Sequence, residues 1–196
     1  EAPSAEELEE LLKERENKWK KEEHLPVSER RKHYLSCLYT PGDTLQKWKD
    51  SFLSKPPMFG EEKGYNGDPA DVFEYDPEMN RHIAVWWGDI HSLEADGIII
   101  FTDQELSGDY SKITRAVHDA GSTTFRKECR ALSTSTDEVR VTLGHCLPAR
   151  YVIHVVWEEI NRDEANNEGE MTDKESADLR NCIALALRQV MKLGLK

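Results

Sequence analysis

Apolar residues recur along this chain at two different periods, and the change of period divides it. Residues 4–23 follow a helical period: Ser4 and Glu7 stand at capping-box spacing, and Leu8, Leu11, Leu12 and Trp19 make a thin apolar stripe in a segment otherwise built of Glu, Lys and Arg. Glu9–Lys13 and Glu14–Lys18 are i,i+4 pairs with the acid first, the favourable order on a solvated helix. A helix this polar packs by one edge or projects to a partner, and contact with a protein partner through it is expected. Pro26 stands where a helix start is allowed. Ser28 to Leu35 then read as a short basic helix, with Arg30, Arg31, Lys32 and His33 forming a solvated face; phosphate contact is the alternative. Pro41-Gly42 marks a turn, and Leu45, Trp48 and Phe52 at helical spacing are expected to pin this segment to the main domain. Residues 54–72 hold Pro56, Pro57, Gly60, Gly64, Asn66-Gly67 and Pro69 and read as a loop. Val72, Phe73 and Tyr75 suggest a brief extended arm. The boundary falls here: residues 1–70 are a helical, charged extension, and residues 71–196 are a domain.

Beyond the boundary, short apolar runs alternate with helical stripes. His82 to Trp87 reads as a strand buried on both faces, and Ile98, Ile99, Ile100 and Phe101 make a second such run, too short for a helix and rich in β-branched residues. Ser111 to Leu132 is helical in pattern, with Ile113, Ala116, Val117 and Ala120 on one side, an interruption or kink at Gly121, and Phe125, Cys129 and Leu132 continuing the stripe. Val139 to Leu143 and Tyr151 to Trp157 read as a third and a fourth strand. Residues 158–173 are an acidic surface loop. A last helix opens on a Thr172–Glu175 capping box, carries Leu179, Ile183, Ala186, Leu187 and Val190, and closes at Gly194. Strands alternating with helices predict an α/β fold, a parallel or mixed sheet flanked by helices, with a ligand crevice at the carboxyl ends of the strands.

Composition narrows the function classes. Of 196 residues, 38% are hydrophobic and 33% charged, enough for one core with long solvated stretches. A formal net charge of −12 disfavours general nucleic-acid and membrane binding, leaving room for one local basic pocket around a small phosphate. No apolar run has the length of a membrane span, and no secretory segment is visible. Cys37, Cys129, Cys146 and Cys182 form no C-x-x-C pair, which fits a reducing, intracellular and cytoplasmic setting; Cys129 and Cys182 read as buried helix positions. His118, His145 and His154 lack ligand spacing, and His154 reads as a hydrogen-bonded core histidine. Ser111, Thr114 and Ser122 show no nucleophile motif, and there is no Walker loop or dinucleotide fingerprint. No metal and no cofactor is expected. A first residue of Glu1 suggests a fragment of a longer chain.

Four segments carry a family resemblance. Trp87-Gly88-Asp89-Ile90 followed by Asp96-Gly97-Ile98-Ile99, then Ala116-Val117-His118-Asp119-Ala120-Gly121, then Leu147-Pro148-Ala149-Arg150-Tyr151-Val152-Ile153-His154-Val155-Val156, and finally Leu179-Arg180-Asn181-Cys182 resemble, in order and spacing, the macro domain, an ADP-ribose-binding α/β module. The Leu147–Val156 match is the most specific. Among subfamilies the sequence looks nearest to the macro domain of ganglioside-induced differentiation-associated proteins. The resemblance covers residues 81–196. It implies two further strands and a second phosphate-binding loop after the last helix, so a C-terminally truncated or rearranged domain, or one completed by another chain, is expected.

What the resemblance implies for chemistry is mixed. Asp89 occupies the place of the Asp that accepts from the adenine amino group, and Ile90 follows it. The family's Asn-Ala-Ala-Asn motif, which orients the distal ribose, is matched by Ile100-Phe101-Thr102-Asp103. There Ile100 has no hydrogen-bonding side chain, Phe101 is bulky, and Asp103 can accept from a ribose hydroxyl but not donate. Ile113 stands where active hydrolases of the family carry a catalytic Asp, Asp109 is several residues too early, and Gly108 is the one glycine of the loop. Asp89, Ile90 and Asp103 are therefore the expected ligand-binding residues, with no catalytic residue. Three functions follow in order: a non-catalytic macro-like module acting as an interaction or structural component of a larger assembly; a reader that binds ADP-ribose or a related nucleotide; and an ADP-ribosyl hydrolase.

Overall fold

The polar N-terminal segment folds as helix α1, Ala5–Glu22, and Pro26 caps a one-turn helix α2, Val27–Arg30, that runs into a 3-10 turn over Arg31–His33. The glycine-led β-branched run forms strand β1, Gly97–Thr102. Helix α3, Lys112–Leu132, follows, then β2, Val139–Leu143, β3, Tyr151–Val156, and α4, Asp173–Lys192. These elements are those of a computed structural model, which describes residues 4–22, 25–36, 38–47, 78, 81–133, 138–157 and 172–195. Trp48 and Phe52, the 54–72 loop, the arm after it, the 158–171 acidic segment and Cys37 lie outside the described residues. Contacts divide the chain into one unit of Glu1–Thr40 with Asp89–Lys196, and a second of Pro41–Gly88.

In the first unit the strands lie in the order β1-β3-β2, with β3 parallel to β1 and antiparallel to β2. This is the mixed sheet the alternation predicts. Register pairs Ile100 with His154 and Arg140 with His154, so these three side chains share one face. That face packs on α3 through Ile98, Ile100, Val152, Val117, Phe125 and Cys129. The other face packs on α4 through Val141, Tyr151, Ile153, Val155 and Ala186, with Trp19 of α1 joining. Every β2 residue but Val139 is buried, its polar Arg140 and Thr142 included. Burying several aliphatic side chains at about 1.5–3 kcal/mol each is what opposes the chain entropy of ordering these layers.

Helix ends follow the sequence closely. Capping boxes close at Ser4–Glu7, Ser111–Thr114 and Thr172–Glu175, and Gly194 takes the left-handed conformation (φ 64°) just past α4. The expected interruption of α3 sits one residue after Gly121, at Ser122 (φ 73°, ψ −174°). Gly121 is required there because a Cβ would lie 2.6 Å from Phe125 Cγ.

Three expectations are corrected. His82–Trp87 is not a strand: of these six residues Ala84 alone forms a bridge, to Lys47, and Ile83, Val85 and Trp87 are exposed. Strand formation needs a partner, and a run of apolar residues does not supply one. The Ile98–Phe101 run is buried on one face only, with Ile99 and Phe101 more than a third exposed on the other, because α4, the layer on that face, packs over β2 and β3. Leu45 is extended rather than helical.

Candidate functional site

The carbonyl of Asp89 accepts from the Ser92 amide (2.8 Å) and from Ser92 Oγ (2.7 Å), closing a 3-10 turn over Ile90–Ser92. This turn fixes opposite fates for two neighbours. Ile90 points inward and packs half-buried against the core layer of α3. Asp89 stays exposed on the wall of a 490 Å³ cleft lined also by Ser36, Leu38, Tyr39, Thr40, His91 and Ser92. Its carboxylate bonds to no described residue. The cleft's other wall, Ser36 with residues 38–40, is held by a cluster at the end of α2. Arg31 binds Glu94 with two donors, at 2.9 and 2.6 Å, and Tyr34 OH donates to Glu94 Oε1 at 2.9 Å. Arg31 also lies over the Tyr39 ring, 5.0 Å from its centroid. The Arg31 hydrogen bonds hold the Glu94 carboxyl below its ordinary range against the opposing effect of burial. Burial first, and then the Glu94 bond, push Tyr34 up to about 12. The basic segment keeps the solvated face expected of it at Arg31, Lys32 and His33, which are exposed, with Arg31 paired to Glu94 and Lys32 to Glu29; Arg30 alone of the four is half-buried, donating to the Pro148 carbonyl (2.8 Å).

Asp103 lies elsewhere. At the end of β1 it accepts from the Ser107 amide (2.7 Å) and the Ser107 hydroxyl, and its carbonyl accepts from the Leu106 amide. Both carboxylate oxygens therefore organise their own loop, whose Leu106 is buried at φ 51°. The structure does not bring Asp103 and Asp89 to one cleft, and Ile90 is not among the cleft's lining residues. Ile100 is 2% exposed, in the core. Ile113 is 54% exposed on the first turn of α3, and Asp109, 87% exposed in its side chain, pairs with Arg115 (3.0 Å). No acid is held against a buried reacting centre in this stretch.

The histidines are structural. His154 Nε2 shares a hydrogen bond with Thr142 Oγ1 (3.0 Å), and its ring stacks on Phe125. Burial, then the proximity of His118 and Arg140, push it down from the ordinary 6.5 to about 3. His118 packs edge-to-face on Phe125 and is likewise pushed down, by burial and then Arg126. Among the described residues no group of three His, Cys, Asp or Glu is placed to hold a metal.

One buried site had no forerunner in the sequence reading. Glu128 of α3, 5% exposed, accepts from Arg15 Nε (2.9 Å), Trp19 Nε1 (3.0 Å), His145 Nε2 (2.5 Å) and the Leu143 amide (3.3 Å). Lys18 Nζ lies 2.5 Å from His145 Nδ1. An ammonium cannot accept, so Nδ1 is the acceptor and Nε2 carries the proton given to Glu128. Burial pushes Glu128 up, but the His145 and Trp19 bonds with the Arg15 charge outweigh it and hold the carboxyl below its ordinary range. The inner edge of α1 is thereby bound to its own domain. The signal was present: Glu128 stands three residues after Phe125 and four before Leu132, on the apolar stripe of α3, where a carboxylate must be satisfied.

Residues 102–196 match the macro-domain family model. The chain is 35% identical over 125 residues to the protein GDAP2 homolog of Nematostella vectensis, covering 61% of this chain and 24% of that protein. It is 27% identical over 183 residues to the human ADP-ribose glycohydrolase MACROD2, covering 91% and 40%. It therefore spans well under two thirds of either relative. Among solved structures, the macro domain of ganglioside induced differentiation associated protein 2 aligns with a TM-score of 0.58 at 20% identity, over 80% of this chain and 66% of that one. The Trypanosoma brucei macrodomain in complex with ADP-ribose aligns with a TM-score of 0.56 at 21% identity, over 88% and 62%. At these identities the structural likeness establishes the fold.

Proposed function

The chain belongs to the macro-domain family through residues 102–196, and on that premise we propose that it acts as a non-catalytic macro module, an interaction or structural component of a larger protein or assembly. One observation carries the reading: the positions at which the resemblance implies hydrolase chemistry hold residues that cannot perform it or are used within the fold. Ile113 is an exposed aliphatic residue at the start of α3, Ile100 is core, and both oxygens of Asp103 are spent within its loop. A general base must reach the water it activates, and none of these positions, all among the described residues, supplies one. Incubation with a mono-ADP-ribosylated protein, beside MACROD2 as positive control, is expected to release no ADP-ribose above background. Release within tenfold of the control, abolished by Asp109→Ala, would make the protein a hydrolase instead.

The Asp89 cleft favours a second reading, an ADP-ribose-binding reader. It is supported by the cleft's size, which falls within the range of about 300–1,000 Å³ for small-molecule sites, and by the solved relative whose complex contains ADP-ribose. Calorimetric titration tests it: no heat with ADP-ribose up to millimolar concentration on folded protein rejects it. A protein partner would meet the outer face of α1, since the inner edge carrying Arg15, Lys18 and Trp19 is used within the domain. Pull-down with surface substitutions confined to Glu9, Glu10 and Lys13 checks that contact. An intracellular, cytoplasmic setting belongs to the same reading and is supported by Cys129, Cys146 and Cys182 being free thiols; imaging of a tagged full-length protein tests it.

A further inference from the structure

We propose that Lys18 is a self-acylation site that takes its acyl group from a small acyl phosphate. The reaction is stoichiometric and goes beyond the module and reader functions, because it uses the buried cluster at the inner edge of α1. Lys18 Nζ donates to His145 Nδ1 at 2.5 Å, and His145 Nε2–H donates to Glu128 Oε2 at 2.5 Å. A nucleophile in hydrogen-bond reach of a base, with a third group orienting that base, is the arrangement that activates a weak nucleophile. Each of the two inner side chains is only 4% exposed, so the imidazole has no room to turn away from Lys18. His145 is also held at φ 55°, a left-handed conformation uncommon outside glycine, and strain of this kind gathers at functional sites. Lys13 and Lys20 of the same helix instead face carboxylates, Glu9 and Glu16, at 2.7 Å each.

The nucleophile is reachable. Lys18 is half-buried on the wall of a 120 Å³ pocket between α1 and α3, with Glu14, Arg15, Thr124, Lys127 and His145 among the other walls. That volume is well below the range of about 300–1,000 Å³ for drug-sized ligands, so the reactant must be small. Its charge follows from the lining. Arg15 and Glu128 are committed to each other (2.9 Å), which leaves the Lys18 and Lys127 cations against the one carboxylate of Glu14. Lys127 and Thr124 are both exposed, and both can donate to phosphate oxygens. A phosphate held there presents its acyl carbon to Lys18.

The step balances without a further reactant. One proton passes from the Lys18 ammonium to His145 Nδ1, and Glu128 carries the imidazolium's opposite charge. The freed amine pair forms the C–N bond to the acyl carbon. The C–O bond to phosphate then breaks, and phosphate leaves with that electron pair. The second nitrogen proton goes to the phosphate, and His145 returns its proton to solvent. An ammonium and an acyl phosphate dianion thus become a neutral amide, a hydrogen phosphate dianion and one proton.

The test is incubation of the 196-residue protein with acetyl phosphate at neutral pH, followed by digestion and mass-spectrometric quantification of each acetylated lysine. A general base contributes about 10²–10⁴-fold, so Lys18 is expected to react at least tenfold faster than Lys13 or Lys20. His145→Asn, whose amide accepts a hydrogen bond but not a proton, is expected to bring Lys18 down to their rate in a protein shown by its melting transition to be folded. Lys127→Ala, at an exposed position, is expected to reduce at least threefold the preference of Lys18 for acetyl phosphate over a neutral acetyl thioester. Lys18 reacting no faster than Lys13 and Lys20 overturns the proposal, as does a folded His145→Asn protein that keeps the selectivity. Should His145→Asn fail to fold, Lys127→Ala decides: an unchanged preference between the two donors overturns the proposal, and the threefold loss upholds it.

Discussion

Replacing Glu128 by Gln changes one atom and leaves the shape of the side chain intact, yet it should be among the most damaging substitutions in the domain. Donors address both carboxylate oxygens: Arg15 and Trp19 at Oε1, His145 at Oε2. A Gln amide has one acceptor. Whichever way it turns, its NH2 confronts either His145 Nε2–H or the Arg15 and Trp19 donors. His145 cannot escape by moving its proton to Nδ1, because Lys18 Nζ stands 2.5 Å away and is itself a donor. The loss is one charge-assisted hydrogen bond, about 1.5–3 kcal/mol, plus a buried donor left facing a donor, about 1–3 kcal/mol. A total of about 3 kcal/mol is expected, within the range for breaking a buried ionic network. In urea unfolding at pH 7, with a slope of about 2 kcal/mol per molar, the midpoint should fall by roughly 1.5 M. The difference should narrow in acid. The folded-state pKa of Glu128 lies below its ordinary 4.5, so its contribution is fully present above that value and is lost as pH falls through the lower folded value. Combined with Trp19→Phe, the two losses should depart from additivity by more than about 0.5 kcal/mol. A Glu128→Gln protein within about 0.5 kcal/mol of the parent at pH 7 would refute the argument, since that is the scatter of ordinary surface substitutions.

The other expectations are shorter. His154 is neutral in the fold and pushed from 6.5 to about 3, so the unfolded chain takes up its proton first; stability is fully present above pH 6.5 and should fall by about 1.4 kcal/mol per pH unit below it. Urea midpoints measured between pH 7 and pH 5 should show this slope, and His154→Phe should lose the His154 share of it; an unchanged slope refutes the assignment. Gly144→Ala would place a Cβ 1.8 Å from the Ala149 carbonyl oxygen, which is backbone and cannot yield; overpacking at the upper end of about 1–3 kcal/mol should lower the melting temperature by roughly 6–12 °C. Ile113→Asp puts an acid at the place the resemblance assigns to the hydrolases' Asp and at a helix N-terminus, where it should stabilise by about 0.3–1 kcal/mol; it should not create hydrolysis while Ile100 and Asp103 stay as they are, and measurable turnover would show that the acid alone was missing.

Much of the fold was legible because it is written locally. The β-branched run at residues 97–102, the polar alternation of 139–143, and the apolar stripes and capping boxes of α3 and α4 each carry their own signal, and the structure has an element at each. Gly121 announced the break in α3, although the strained residue is its neighbour Ser122. The error at His82–Trp87 came from reading hydrophobicity as pairing. Ile83, Val85 and Trp87 are as apolar as Ile98 and Ile100, and the difference between the two runs is whether another strand lies alongside, which no window of sequence contains.

The site divides along the same line. Asp89 is legible because a Gly-Asp-Ile turn is a local motif, and it lies on a cleft wall; Asp103 is marked by the resemblance, but its behaviour is decided by Ser107, which the motif does not include. Arg31 is exposed, as its segment predicts, but its acceptor, Glu94, lies 63 residues away in sequence and carries no local signal. Glu128 was missed although its position on the apolar stripe made a demand that only distant residues could meet. Its partners Arg15 and Trp19 are 113 and 109 residues away, in a helix whose polarity fits packing by one edge or projection to a partner. The polarity of α1 and the carboxylate on the stripe of α3 are two halves of one fact. A helix too polar for the core is what a buried acid requires, and a charged residue on a hydrophobic face is therefore a reason to search the rest of the chain for the donors that would satisfy it.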